Sequence, residues 1–457
     1  MKFSVMLYRF LFTIFLLVST TQYTLADKNV IDVGQLLDKK FSLSKHALIL
    51  RDETKTLELD QALSSSKWQT ISDDVINLGY TLDTAFIKIH LTNTSNNDIR
   101  KIFSINFGLI DFIDVYINEE FQFKIGDRYP FDDRQIDSYY HSFPIILGAN
   151  QSKTVVLKVS TQGGFILPLY LYEPSKFYSD NNTFGSLFAF FTGVVLIISI
   201  VSLVCWRIFK EISFFFVGAF SVTAGLFLAN YYGVLFRYLW PDKPDFNHGI
   251  MVFFIGLLII TSTLFSRHLL PLKEKTEHGH LFYYVAFLAP VLVICFYYFL
   301  SYQLAILLAL SLTGMMFIGF LIFSRYSNRE DNPYTSYYSV AWGACSLGGL
   351  TSSLSELGVL NNEIFTNGMG IGFLISLIVF LVLVLLRMQK DASEKLTALE
   401  RVKDIKISDI NKEKHIALGK LVAGLNHEIN TPLSTISLCL MGVKADRTSE
   451  EGFSKIL

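Results

Sequence analysis

Near the end of this 457-residue chain stands a run whose side chains could do chemistry: Gly424-Leu425-Asn426-His427-Glu428-Ile429-Asn430-Thr431-Pro432-Leu433. An imidazole lies beside a carboxylate, a hydroxyl follows at the fourth residue, and a proline comes next. Leu418, Leu421, Leu425, Ile429, Pro432, Leu433, Ile436 and Leu440 recur at three- and four-residue steps, which predicts an apolar stripe on a helix. His427 sits two residues from both Leu425 and Ile429. At about 100° per residue it turns away from the stripe, toward water. Thr431, at i+4, shares its face. A histidine so placed is a nucleophile offered to a partner.

The run resembles the phosphoacceptor box of sensor histidine kinases, a histidine followed by an acidic residue and then by a Thr/Asn-Pro-Leu segment. Gly419 to Gly424 resembles the approach to that box. The resemblance implies that His427 takes phosphate on a ring nitrogen and that Glu428 is the general base. It implies that Thr431 orients a water for dephosphorylation of a partner regulator. Pro432 has no N–H and is expected to bend the helix just past the site. The competing reading is a solvated His-Glu pair on an ordinary amphipathic helix. Only twenty-four residues follow Leu433, and they hold no nucleotide-binding box. ATP and Mg2+ are therefore expected only with a missing catalytic domain, and no cofactor or metal site in this chain. Thr448-Ser449-Glu450-Glu451 resembles a capping box and is expected to start a second hairpin helix.

The elements that would position His427 lie upstream. From Met388 to about Lys414 the chain is charged, with Ala392, Leu396, Leu399, Val402 and Ile405 in a three/four stripe. A coiled coil is expected there, its phase drifting near Ile407 and Ile410. One solvated amphipathic helix is the alternative. Before it come seven hydrophobic spans, read as about 184–206, 213–236, 247–266, 281–300, 302–324, 335–357 and 367–387. Arg207, Lys210, Arg267, Lys273, Lys275, Arg325, Arg329, Arg387 and Lys390 fall on one side of these spans. Arg237 and Lys243, offset by Asp242 and Asp245, fall on the other. The bias predicts a cytoplasmic tail. Gly343 to Gly349 gathers small residues, expected to let helices pack closely.

Lys2 and Arg9 precede the apolar run Phe10 to Val18, and Thr24-Leu25-Ala26 offers a cleavage site, so residues 1–26 read as a signal peptide. The cysteines are Cys205, Cys295, Cys345 and Cys439, none of them in the exported segment, where no disulfide is expected. A net charge of -1 argues against nucleic acid as a partner.

Residues 27–180 read as an all-β domain. Runs at 85–91, 102–107, 112–117 and 154–159 alternate, with turn-formers between them. The segment resembles the periplasmic sensor domain of seven-transmembrane receptors with diverse intracellular signalling modules. Ile113 to Ile117 and Gly126-Asp127-Arg128-Tyr129-Pro130-Phe131 carry much of that likeness. It implies a jelly-roll sandwich similar to carbohydrate-binding modules. Trp68, Tyr80, Tyr129, Tyr139 and Tyr140 could stack on a sugar, or could pack the core or edges.

The expected organisation is a multidomain membrane protein. A signal peptide (1–26) precedes a periplasmic jelly-roll-like β-sandwich (27–180) and a seven-helix transmembrane bundle (184–387). A cytoplasmic coiled coil (388–414) then leads into a truncated dimerisation and phosphoacceptor hairpin (415–457). The expected function is two-component sensing, relayed to phosphorylation of His427, with catalysis supplied by the absent domain. Expected partners are a second copy of the chain, a response regulator, the membrane, and a periplasmic small molecule for which carbohydrate is one candidate. The expected location is the bacterial inner membrane. A receptor or phosphoacceptor adaptor, phosphorylated in trans, is the alternative; a transporter with an accessory domain is the third reading.

Overall fold

The computed structural model describes residues 30–269, 277–327, 335–356, 359–360 and 367–453. The signal-peptide segment and Lys273, Lys275 and Arg329 lie outside the described residues. The chain divides into two compact units, one ending at Val384 and one starting at Leu385.

The first unit opens with a β-sandwich. The alternating run at 85–91 is the middle of the strand Thr84–Thr92. It pairs antiparallel with Ser152–Ser160, which in turn pairs with Phe112–Ile117 and so with Glu120–Ile125. Leu48–Asp52 lies on the other side of Thr84–Thr92. The second sheet runs His141–Leu147, Ile99–Ile105, Leu169–Tyr172 and Lys40–Ser42. The register places Leu157 opposite both Ile87 and Val115. These three meet Phe103, Phe143 and Leu171 of the second sheet in one core. Phe103 and Phe143 are cross-strand partners whose rings stack at 4.9 Å. Full burial of such side chains is worth about 1.5–3 kcal/mol each, which is what holds two sheets face to face. The opposite face of the first sheet, Phe86 and Val156, is capped by the helix Leu59–Leu63 and by Trp68.

Among the described residues, five helices are long and apolar enough to cross a membrane: Pro174–Phe209, Ile212–Tyr231, Pro244–His268, Tyr302–Ile322 and the start of Gly368–Met441. Tyr283–Phe299 is apolar and shorter. The helix Thr335–Glu356 carries the small residues. The first membrane helix starts ten residues before the expected 184. Pro174 opens it, because a first-turn residue needs no N–H. The expected span 213–236 ends at Tyr231, where Gly233 adopts φ 73° and a short helix, Val234–Leu239, follows. Only Leu300 and Ser301 separate the helices ending at Phe299 and starting at Tyr302, so the expected tight hairpin is there. Of the glycines in the run expected to pack closely, Gly348 does so, whereas Gly343 and Gly349 meet nothing within 4 Å. A Cβ on Gly348 would lie 2.5 Å from the Gly368 carbonyl oxygen, and one on Gly372 would lie 2.6 Å from that of Ala344.

The helix Gly368–Phe453 carries the chain into the second unit. The expected turn before a second hairpin helix is absent: helix continues through Thr448 to Phe453. No proline lies between Leu433 and Phe453, and a lone interior glycine costs only about 1 kcal/mol, so nothing local interrupts it. The stripe expected to form a coiled coil is exposed along its length.

The glycine contacts give a paired prediction. Gly348→Val forces the Thr335–Glu356 and Gly368–Phe453 helices apart and should cost about 1–3 kcal/mol. Gly343→Ala meets nothing within 4 Å and should cost nothing. Thermal unfolding of both variants in one detergent checks this; equal midpoints would refute the packing role.

Candidate functional site

His427, Glu428 and Thr431 all lie on the helix Gly368–Phe453 and all are exposed. Thr431 donates its hydroxyl to the His427 carbonyl oxygen at 2.7 Å. That bond turns the hydroxyl back toward the histidine's own turn and leaves its lone pairs open to water. Neighbouring residues on a helix do not face each other, so the Glu428 carboxylate projects beside the imidazole rather than onto it. Pro432 is inside the helix, and its missing N–H deprives the Glu428 carbonyl of its usual donor. The stripe expected to be apolar stands open, with Leu425 55% and Ile429 53% exposed.

A second constellation escaped the sequence reading. Asp111 immediately precedes the strand Phe112–Ile117, and Gly126-Asp127 immediately follows its hairpin partner Glu120–Ile125. Asp127 N–H donates to the Ile110 carbonyl at 2.8 Å, and Arg128 N–H to that of Asp111 at 3.3 Å. The chains approach so closely that a Cβ on Gly126, at φ 151°, would strike the Asp111 carbonyl oxygen. The two carboxyls are thereby set together. Asp111 accepts from the Gln162 N–H at 2.5 Å and the Thr161 hydroxyl at 3.4 Å. The visible signal was a glycine followed by an acid at a strand end, in the very run that carried the family likeness.

Membrane helices close over this pair. His248, in the helix starting at Pro244, puts Nδ1 3.6 Å from an Asp111 oxygen, and its ring lies against Tyr302. Arg128 pairs with Asp245 at 2.9 Å. Arg237 pairs with Asp137 at 2.6 Å, and Phe131 N–H donates to the Pro241 carbonyl at 2.8 Å. A cavity of about 70 Å³ opens here, walled by Asp111, Asp127, Asn230, His248, Met251 and Ile306 among others. Burial, and after it the charge of Asp111, pushes the Asp127 carboxyl well above the usual carboxylate range. Burial likewise raises Asp111, against the pull of the Gln162 N–H. Two adjacent buried carboxyls each disfavour the charge of the other.

The aromatic residues weighed as sugar platforms divide. Trp68 donates its indole N–H to the Ala62 carbonyl at 2.9 Å and lies under the Lys88 ammonium, so it packs the sandwich. Tyr129 meets Phe112 edge-on. Tyr139 and Tyr140 both pack against Phe184 of the first membrane helix and wall a second cavity of about 150 Å³. Tyr80 lines the first cavity.

His141 supplies a pH prediction. It is fully buried, with Nε2 3.1 Å from the Gly108 carbonyl oxygen and Nδ1 without a partner. Burial first, then the charge of Arg134, holds it well below the usual imidazole range. The unfolded chain takes up the proton near pH 6.5 and the folded chain does not. Stability is therefore complete above about pH 6.5 and is lost as pH falls, at up to about 1.4 kcal/mol per pH unit. Asp127 has the opposite sign: its raised value gives stability in acid that is lost as pH rises. In His141→Gln the acid-side loss should flatten, read by thermal unfolding of the full chain from pH 7 to 5. An unchanged slope would assign the loss to another group.

Two family models match the chain. Residues 44–173 match the one described as 7TMR-DISM extracellular 2, and residues 185–387 match 7TM diverse intracellular signalling. No curated protein matches the chain. The first match contains Asp111 and Asp127 and the second contains Asn230 and His248, so the cavity lies where the two matched domains meet. Matched over both its extracellular and its membrane domain, the chain belongs to the 7TMR-DISM receptor family, transmembrane signalling receptors with an outward-facing sensor domain.

Proposed function

We propose that this receptor is the sensing and phosphoaccepting part of a two-component system in a bacterial inner membrane. The sandwich is periplasmic and the tail cytoplasmic. A small molecule bound outside biases seven membrane helices, and the last of them continues as the helix that bears His427. The observation that carries this reading is the box His427-Glu428-Ile429-Asn430-Thr431-Pro432, displayed on the exposed face of a helix that begins at Gly368 in the membrane region. Two copies dimerise through the apolar stripe.

In the proposed chemistry the His427 ring nitrogen forms a bond to phosphorus as the bond from phosphorus to the ADP oxygen breaks. Glu428 draws the imidazole proton and so supports the neutral, attacking ring. ATP and Mg2+, which supply the phosphoryl group and neutralise its developing charge, enter with a kinase catalytic domain. The phosphoryl group then passes to an aspartate of a response regulator, and Thr431 positions the water that later removes it. A phosphoacceptor adaptor, labelled by a separate kinase, would use the same three residues.

Two measurements bear on this reading. Given an active histidine-kinase catalytic domain and labelled ATP, the chain should gain acid-labile phosphate, and His427→Gln should gain none. Glu428→Gln should slow labelling by about 10²-fold or more, the usual worth of a general base. Label retained on His427→Gln would sink the assignment. Separately, a reporter that fluoresces only in the cytoplasm should be dark when fused after Asn181 and bright after Lys390. The reverse pattern would place His427 where ATP is not available.

A further inference from the structure

The cavity beneath the sandwich contains two buried oxygen atoms that nothing satisfies. Asp127 is 6% exposed and Asn230 is 1% exposed, and the Oδ1 of each has no hydrogen-bond partner. Both line the cavity, one from each domain. Both are acceptors. Asn230 spends its NH2 group on the Met251 sulfur at 3.7 Å, which leaves its oxygen as the free end of the amide. Buried acceptors are ordinarily paired, and an unpaired one marks the place of a missing donor.

The rest of the wall says what that donor is attached to. Met251, Ile255, Ile306 and Phe107 form an apolar flank. Among the described residues no lysine or arginine lines the cavity. The charges of Arg128 and Arg134 reach the carboxyl pair, but Arg128 pairs with Asp245 and Arg134 donates to the Ser138 carbonyl at 2.9 Å, and neither lines the cavity. At roughly 10–15 Å³ for each water held, the cavity has room for about five waters, the size of a very small organic molecule.

We propose that this cavity is the receptor's ligand site and that it takes a small organic amine, its ammonium between Asp127 and Asn230 and its apolar body against Met251, Ile255 and Ile306. An ammonium carries three donors and no acceptor, which answers two orphaned acceptors and a carboxyl pair. A carboxylate or phosphate in the same place would face Asp111 and Asp127, with Arg128 and Arg134 outside the cavity wall. An alcohol brings one donor for two acceptors. The binding groups come from both matched domains, so the bound amine ties the sandwich to the helices. That is the differential contact a ligand needs in order to shift a receptor's conformational equilibrium. The consequence for signalling rests on the proposed receptor function, but the binding does not.

The test uses the full chain in lipid nanodiscs with three probes of one shape: cyclopentylamine, cyclopentanol and cyclopentanecarboxylate. Isothermal titration should show saturable binding of the amine, at least about tenfold tighter than the alcohol, and none of the carboxylate. Asp127→Asn should weaken the amine at least about tenfold and leave the alcohol nearly unchanged, because it keeps an acceptor and removes the charge. Asn230→Leu, which leaves the carboxyl pair alone, should also weaken the amine and serves if the first variant does not fold. Ile306→Trp fills the cavity from the apolar side and should abolish binding. An alcohol as tight as the amine, a bound carboxylate, or amine binding that survives Ile306→Trp would each overturn the proposal. The same titration on His427→Gln should be unchanged, so a failure of binding and a failure of phosphotransfer are read separately.

Discussion

A hydrogen atom in place of a side chain at Gly126 lets two carboxyls sit side by side under a membrane domain. Any larger residue there would strike the Asp111 carbonyl, and the strand hairpin would have to open. With the approach closed, Asp127 and Arg128 donate their N–H groups to the Ile110 and Asp111 carbonyls, and the acid pair becomes part of the backbone framework. Burial makes the doubly ionised form of such a pair costly, and the charges of Arg128 and Arg134 offset part of that cost. His248 Nδ1 stands 3.6 Å from an oxygen of the same pair.

The ties between sandwich and helices are of two strengths. Arg237–Asp137 and Arg128–Asp245 each have one strongly exposed partner, and such pairs contribute about 0–1 kcal/mol. The apolar contacts are firmer: Phe131 meets Phe236 edge-on at 5.8 Å, and Tyr139 meets Phe184 at 5.1 Å. Aromatic pairs of this kind add about 0.5–1.5 kcal/mol beyond the area they bury. The junction is thus held in place, but by terms small enough for a ligand to compete with.

The sandwich was legible because its strands alternate. The run at 85–91 could be nothing else, and the structure extends it by one residue at each end. The membrane helices were legible as length and hydropathy, though not at their ends: Pro174 and Gly233 set those, and each acts through local backbone geometry rather than through apolar content. The run from His427 to Pro432 was read as helix from its spacing, and it is helical. The acid pair was not legible, since Asp111 and Asp127 lie sixteen residues apart and only the hairpin register brings them together. Asn230 and His248 were hidden for the same reason, each being one polar residue at the end of an apolar helix. The second hairpin helix was over-read, because a capping sequence starts a helix only where the preceding one has stopped.

These parts set the scale of any signal. A ligand can move an equilibrium only by its preference for one state over the other, and a tenfold preference is about 1.4 kcal/mol. That is comparable to one aromatic contact at the junction. It is far less than the cost of disrupting either the sandwich core or the glycine-packed helices. The change that ligand binding can drive is therefore a shift of sandwich against helices, with both bodies intact. At the other end, the stripe through Leu425 and Ile429 offers apolar surface worth about 25 cal/mol for each Å² it loses to water. Pro432 sits within that stripe, one turn past Glu428, and removes a backbone hydrogen bond there. A backbone hydrogen bond is thus missing from the helix within about one turn of His427.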